Sequence, residues 1–362
     1  MKKRLVSLLT IIALSVSMLV GCGGASDTTG DSGSISQNTT DTAKKTASEE
    51  SGGDISDKKV GVCIYQFSDN FMTLFKDELK SYLVNKGFSE DNILIVDGQN
   101  DQSKQNKQIQ DFINDGVDVL IVNAVNTSDA ASITDMAVGA NVPLVYINRE
   151  PDADEEQRWQ DNKWNVCYVG CDARQSGTYQ GEIIADLGKS TVDLNGDGTI
   201  QYIMIEGDPE NVDAKYRTDY SIKALEDAGW NVSCMADEVG NWEMGQAEQL
   251  VADALAAHPE TEVVFCNNDA MAIGALKSIE AAGRTVGTDI YLVGVDALSE
   301  ALQYVMDGKM TGTVFNDLFS QSHSAGDAAA RYIKGSKNDH YIGCDYIKVT
   351  ANNAKEIYDS IN

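Results

Sequence analysis

The sequence predicts an α/β fold built from two doubly wound, parallel-sheet lobes joined by a hinge. Three observations carry this. From Lys58 onward, short apolar runs alternate with helical patterns almost without interruption, as in a parallel sheet flanked by helices. The alternation falls into two similar series in tandem, and 362 residues suffice for two ordinary domains. Five of the apolar runs end in Asp or Asn. The first runs out into Ser68-Asp69-Asn70-Phe71, the second ends at Asn123, and the third reaches Asn267, Asn268 and Asp269. The last two end at Asp296 and at Asn316-Asp317. In open α/β sheets ligands bind beyond the carboxyl ends of the strands, so these residues describe a cleft lined with carboxylates and amides. Any single one of them could instead cap the next helix, but five together make capping the weaker account.

The first series reads as a strand over 60–65, a helix to about 86, a strand over 93–96 and a helix over 102–115. A strand over 117–122, a helix to about 139 and a strand over 142–147 complete it. The second series starts with a strand over 165–169 and a helix over 174–187. Strands follow over 200–205, 230–235, 262–265 and 290–295, alternating with helices over 212–228, 243–257 and 270–283. Residues 311–334 add one more strand and helix. The lobes are therefore expected to comprise 58–147 with 316–340, and 148–315 with 341–362.

The N-terminus is read separately from the fold. Lys2, Lys3 and Arg4 precede an apolar stretch from Leu5 to Val20, which fits a secretory signal over 1–21. The stretch falls short of the roughly 20 apolar residues of a membrane span. Its ending, Leu19-Val20-Gly21-Cys22, resembles a bacterial lipobox, which implies a lipidated Cys22. Residues 22–57 are rich in Gly, Ser, Thr and Asp and read as a disordered tether. A formal net charge of −28 argues against binding a phosphate backbone, so nucleic acid is not an expected partner.

Asp193, Asn195 and Asp197, followed by Gly198 and Thr199, match the oxygen-ligand spacing of a calcium loop. Met204 stands where an EF-hand would place its bidentate Glu, so the missing carboxylate must come from elsewhere. A metal-free Asn/Asp/Gly turn is the alternative. Asp213 and Arg217 share one helix face, as a surface ion pair or as ligand-holding groups. Phe71 and Trp242 sit beside polar cleft candidates, where a ring can lie against the CH face of a sugar; core packing is the ordinary alternative. Cys63, Cys167 and Cys266 fall inside strands, and Cys167 and Cys171 are too far apart in extended chain to bridge, so free thiols are expected. Gly188-Lys189-Ser190-Thr191 lacks the earlier glycine of a P-loop. His258, His323 and His340 are scattered, and no nucleophile elbow or dinucleotide fingerprint is present, so no enzyme is expected.

Long stretches together resemble the periplasmic galactose/glucose-binding proteins, type I solute-binding proteins that serve sugar ABC transporters. They are Tyr65 to Met72, Gln99 to Asn106, Asp193 to Gln201, Asn267 to Ala272, Gly294 to Leu298 and Gly312 to Asp317. The resemblance implies hexose contacts at Asp69, Asn123, Asp213, Arg217, Asn268, Asp296 and Asn316, with Phe71 and Trp242 stacking on opposite faces of the pyranose. It also implies a structural Ca²⁺ held by Asp193, Asn195, Asp197, Gln201, the carbonyl of Thr199 and, from a distance, Glu262. The family has a histidine where this chain has Asn211, which puts the glucose-to-galactose ranking in question and favours a pH-independent site. The implied role is capture of D-galactose or D-glucose by a monomer anchored outside the cell membrane, for an ABC permease. The alternative is a sensor presenting sugar occupancy to a membrane histidine kinase or a chemoreceptor.

Overall fold

The computed structural model describes residues 53–362; the signal segment 1–21, Cys22 and the tether as far as residue 52 lie outside the described residues. The chain enters with β1 (Val60–Ile64), α1 (Asn70–Asn85), β2 (Ile93–Asp97), α2 (Gln102–Asn114) and β3 (Val119–Val122). It continues with α3 (Ala130–Gly139), β4 (Leu144–Ile147), α4 (Ala153–Asn162) and β5 (Val166–Cys171). Next come α5 (Ala173–Ala185), α6 (Lys189–Val192), β6 (Thr199–Glu206), α7 (Val212–Asp227), β7 (Asn231–Val239) and α8 (Met244–Ala257). Then follow β8 (Val263–Cys266), α9 (Asp269–Ala281), β9 (Tyr291–Val293), α10 (Ser299–Met306) and β10 (Thr313–Phe315). The last elements are α11 (Leu318–Ile333), β11 (Tyr341–Cys344), β12 (Ile347–Val349) and α12 (Ala354–Ile361).

Six parallel strands in the order β11-β5-β4-β3-β1-β2 form the first sheet. Its four inner strands, β1, β3, β4 and β5, are buried on both faces, which is why they read as continuous apolar runs. In β1, Val60, Val62 and Ile64 face the layer of α1 and α11, while Cys63 faces that of α2 and α3. The second sheet runs β7-β6-β8-β9, again parallel. Single bridges, Val293 to Gly312 and Asp296 to Phe315, attach β10 to its edge, and β12 pairs antiparallel with β10. Asp69, Asp101, Asp172, Asn211, Asn268 and Asp317 each accept a backbone N–H at the start of the helix that follows.

The lobe boundaries differ from those expected. The gap between the two series, read as the change of lobe at 148, holds α4, whose buried Trp159 and Glu155 pack it as one more crossover. The strand β5 therefore pairs with β4 in the first sheet, and the chain changes lobe only after Cys171. The tail, expected whole in the second lobe, divides instead, because β11 adds to the edge of the first sheet beside β5. Only the part from β12 onward belongs to the second lobe. The tether also ends earlier than 57, because Ile55 is buried in the first lobe's core. Three short segments thus cross between the lobes: Cys171 to Ala173, Phe315 to Leu318, and Cys344 to Ile347.

Candidate ligand-binding site

At the carboxyl ends of both sheets lies a cavity walled by residues of both lobes. Nine of the ten sequence-predicted contacts line it: Asp69, Phe71, Asn211, Asp213, Arg217, Trp242, Asn268, Asp296 and Asn316. Asn123 does not. It is fully buried beneath the cavity, accepting the Tyr65 N–H (3.3 Å) and donating to the Ile147 carbonyl and Asn148 Oδ1 (both 3.2 Å). The chain at the ends of β1 and β4, on either side of β3, carries Tyr65 and Asn148 past it to the cavity wall. Tyr65, Met72, Asn148 and Arg149 complete the lining. The signal for Asn148 was in the sequence, since 144–147 is one more apolar run ending in Asn. No helical pattern follows it directly, so it lacked the second half of the pattern.

Most of these side chains are held by the fold from behind. Asp69 Oδ1 accepts the Met72 N–H (2.7 Å) and Oδ2 accepts the Tyr65 hydroxyl (2.6 Å). Asn268 Oδ1 accepts the Met271 N–H (2.9 Å), and its amide donates to the Trp242 carbonyl (3.3 Å). Asn316 donates to Asp296 Oδ1 (3.2 Å) and accepts from Gln321 (2.6 Å). The Arg217 guanidinium donates to the Asn267 carbonyl (2.7 Å) and the Tyr346 hydroxyl (3.2 Å), 4.0 Å from Asp296 Oδ1. Arg149 stacks 3.6 Å from the Tyr65 ring centroid, donates to the Val125 carbonyl and lies 3.7 Å from Asp208 of the other lobe.

Three buried groups in the lining have no partner: Asp213 Oδ1, Arg217 Nε and Trp242 Nε1. A polar atom left in that condition is destabilising by about 1–3 kcal/mol, so the cavity is built to receive hydrogen bonds. Its backbone is strained as well. Asn148 (φ 62°), Trp242 (φ 67°) and Asp296 (φ 120°) all hold positive φ, a conformation that persists where surrounding contacts enforce it and that clusters at ligand sites. At Gly207 a Cβ would lie 2.1 Å from the Trp242 ring, so only glycine leaves the indole its place.

The electrostatics follow from burial. Burial raises the Asp296 carboxyl to about 7, against the lowering pull of Arg217, and Asp213 to about 6, against Arg217 and Arg149. Glu150, behind Arg149, is pushed up to about 8 by burial and then by Asp213. Nothing in the lining is arranged as a nucleophile with a base. The lining suits a neutral or weakly charged polar molecule and includes two aromatic residues, Phe71 from one lobe and Trp242 from the other.

The calcium-loop residues lie apart from this cavity. Glu262, buried before β8, accepts the N–H groups of Leu194 (2.6 Å) and Asn195 (3.3 Å) on one oxygen and of Gln201 (3.1 Å) on the other. Asn195 donates to Gln201 (3.0 Å), Gln201 to Asp197 (2.9 Å), and Asp193 Oδ2 accepts the Gly198 N–H (2.9 Å). Among the described residues, no three His, Cys, Asp or Glu side chains gather as a metal cluster by themselves. The loop's donor set is nevertheless all oxygen, and Asp193 Oδ1 is buried without a partner, which fits a hard cation.

Two α/β lobes, three crossings and a polar cavity between them are the architecture of a solute-binding protein, a transport component with no catalytic part. A family model for the periplasmic binding protein domain matches residues 60–337, and the chain belongs to that family, whose members work outside the cytoplasm. It is 34% identical over 311 residues to the D-galactose/methyl-galactoside binding periplasmic protein of Haemophilus influenzae, covering 82% of this chain and 91% of that one. It is 32% identical over 301 residues to a putative rhizopine-binding protein of Rhizobium meliloti, with the same coverage. Among solved structures, an ABC transporter solute-binding protein of Bacillus halodurans with bound myo-inositol superposes with a TM-score of 0.74 at 27% identity. That match covers 86% of this chain and all of the other.

Proposed function

We propose that the protein captures a hexose in its pyranose form, D-galactose or D-glucose, and delivers it to an ABC importer. The carrying observation is the set of buried, unpartnered groups on Asp213, Arg217 and Trp242 in one cavity. A pyranose presents adjacent hydroxyls that both donate and accept, and carboxylates and guanidinium groups serve them in pairs. Phe71 and Trp242, from opposite lobes, supply apolar faces for the ring. The relative that binds D-galactose and the structure holding myo-inositol support a six-membered polyol ring as the ligand class. Closure on the sugar gives the permease a shape distinct from the empty protein.

The same reading includes a structural Ca²⁺ at Asp193, Asn195, Asp197, Thr199, Gln201 and Glu262, and attachment to the membrane through a lipidated Cys22. Calorimetric titration with D-galactose, D-glucose, D-ribose and myo-inositol tests the ligand. A hexose is expected to bind one-to-one and at least about tenfold more tightly than ribose, since a site built around a hydroxyl rejects the analogue lacking it. Preference for ribose or myo-inositol would overturn the assignment.

A further inference from the structure

We propose that Cys171 and Cys344 form a reversible disulfide that clasps together two of the three segments linking the lobes. The strands β5 and β11 are parallel neighbours, and their register sets Cys171 directly opposite Cys344. Neighbouring strands run about 4.8 Å apart, inside the roughly 4.4–6.8 Å Cα separation that a disulfide spans. The rung before them is Gly170 opposite Gly343, which carries no side chains of its own. Both cysteines are free thiols in the structure. Of the other cysteines among the described residues, Cys63, Cys167 and Cys266 are buried in strands and Cys234 is exposed on β7.

The pair also divides the chemistry sensibly. Cys344 is half-buried, and the neighbouring Cys171 thiol holds its pKa down, while Cys344 and burial push that of Cys171 up. Cys344 is thus the thiolate that meets an oxidant, and Cys171 is the resolving thiol. The oxidant is a low-molecular-weight disulfide, of the kind available outside the cytoplasm. The Cys344 thiolate attacks one sulfur of it and expels the other as a thiolate, leaving a mixed disulfide. Cys171 then loses its proton and displaces the second thiolate. In sum, two protein thiols and one small disulfide become one protein disulfide and two small thiols.

The clasp sits where it can act on the ligand site. Each cysteine is the last residue of its strand before a crossing. Tyr346, two residues beyond Cys344, bonds Arg217 of the cavity through its hydroxyl and donates its N–H to Gln175 (2.7 Å). Tying Cys344 to Cys171 restrains this segment and stiffens the hinge, so oxidation is expected to slow lobe opening and ligand release.

The test uses the full mature chain, reduced with dithiothreitol, cleared of reductant and exposed to oxidised glutathione. Intact-mass and peptide mapping are expected to find a Cys171–Cys344 linked peptide and a loss of two hydrogens, both reversed by dithiothreitol. The melting temperature is expected to rise by about 3 °C or more on oxidation. Cys344→Ser and Cys171→Ser should each abolish the linked peptide and the rise, and Cys234→Ser should keep both. A lasting glutathione adduct on Cys344 with Cys171 still alkylatable after denaturation would overturn the proposal, as would a rise that survives in Cys344→Ser. Release of galactose or glucose, followed by tryptophan fluorescence, is expected to slow at least about threefold in the oxidised form; an unchanged rate would overturn the hinge role. This last readout alone rests on the hexose reading. Should no hexose bind, that reading fails while the linked peptide still decides the disulfide.

Discussion

Asp296→Asn is expected to stabilise the empty protein and to impair sugar binding at the same time. Asp296 is 7% exposed, and its carboxyl is lifted from 3.8 to about 7, chiefly by burial. Between those two values the folded state holds more protons than the unfolded chain, so stability falls as pH rises from about 4 to about 7 and stays low above it. A shift of roughly 3 pH units corresponds to about 4 kcal/mol at pH 8. Asparagine has the same shape, still accepts from Asn316 through its oxygen and carries no charge to bury. If only a third of the penalty is recovered, the melting temperature should rise by roughly 3–5 °C at pH 8. At pH 5 only a little over a third of that penalty has built up, because the unfolded carboxyl ionises from about pH 4, so the difference should shrink in proportion.

Binding should move the other way. A hydrogen bond to a charged group contributes about 1.5–3 kcal/mol, so hexose affinity at pH 8 should fall between about tenfold and a hundredfold. Scanning calorimetry of the sugar-free proteins at pH 5 and pH 8, with titration calorimetry at pH 8, measures both. Equal melting temperatures at pH 8, or unchanged affinity in a folded variant, would refute the reasoning. The same carboxyl sets an expectation that competes with the pH-independent site expected from Asn211. Asparagine does not titrate, but wild-type affinity should weaken as pH falls through about 7, where Asp296 takes up its proton.

Three further outcomes are expected. A calcium chelator should lower the melting temperature by several degrees, because an ion bound only to the native state stabilises it by mass action. Glu262→Gln should reproduce this without chelator, and no change under either treatment would leave the loop a plain turn. Gly207→Ala should push the Trp242 indole from its place, weakening hexose binding at least about tenfold in a folded protein; unaltered tryptophan fluorescence and affinity would contradict the packing seen here. Asn211→His should change the ratio of glucose to galactose affinity more than their sum, measured by titration of both sugars; a constant ratio would place Asn211 outside the contacts.

What the sequence made legible was chiefly the strand ends. A parallel strand buried on both faces can end only where its chain turns out toward the next helix, and the residue at that turn must satisfy free N–H groups. The two readings of these residues, helix cap and cleft wall, are therefore one. Asp69, Asn211 and Asn268 each spend one oxygen on the helix behind and still line the cavity, so the capping bond fixes the rotamer that faces the ligand. Less legible was whatever depends on which strands lie side by side. Asn123 has the same local pattern as Asp296, yet it lies buried beneath the cavity behind Tyr65 and Asn148, a fact of the first sheet's strand order. The strands β5 and β11 were misplaced for the same reason, since nothing local in Val166 to Cys171 or Tyr341 to Cys344 states which sheet they join. Partner choice is a long-range property, set by crossover handedness and by the edge left open. That long-range choice is also what brings Cys171 and Cys344 together, 173 residues apart in sequence and opposite each other in the ladder.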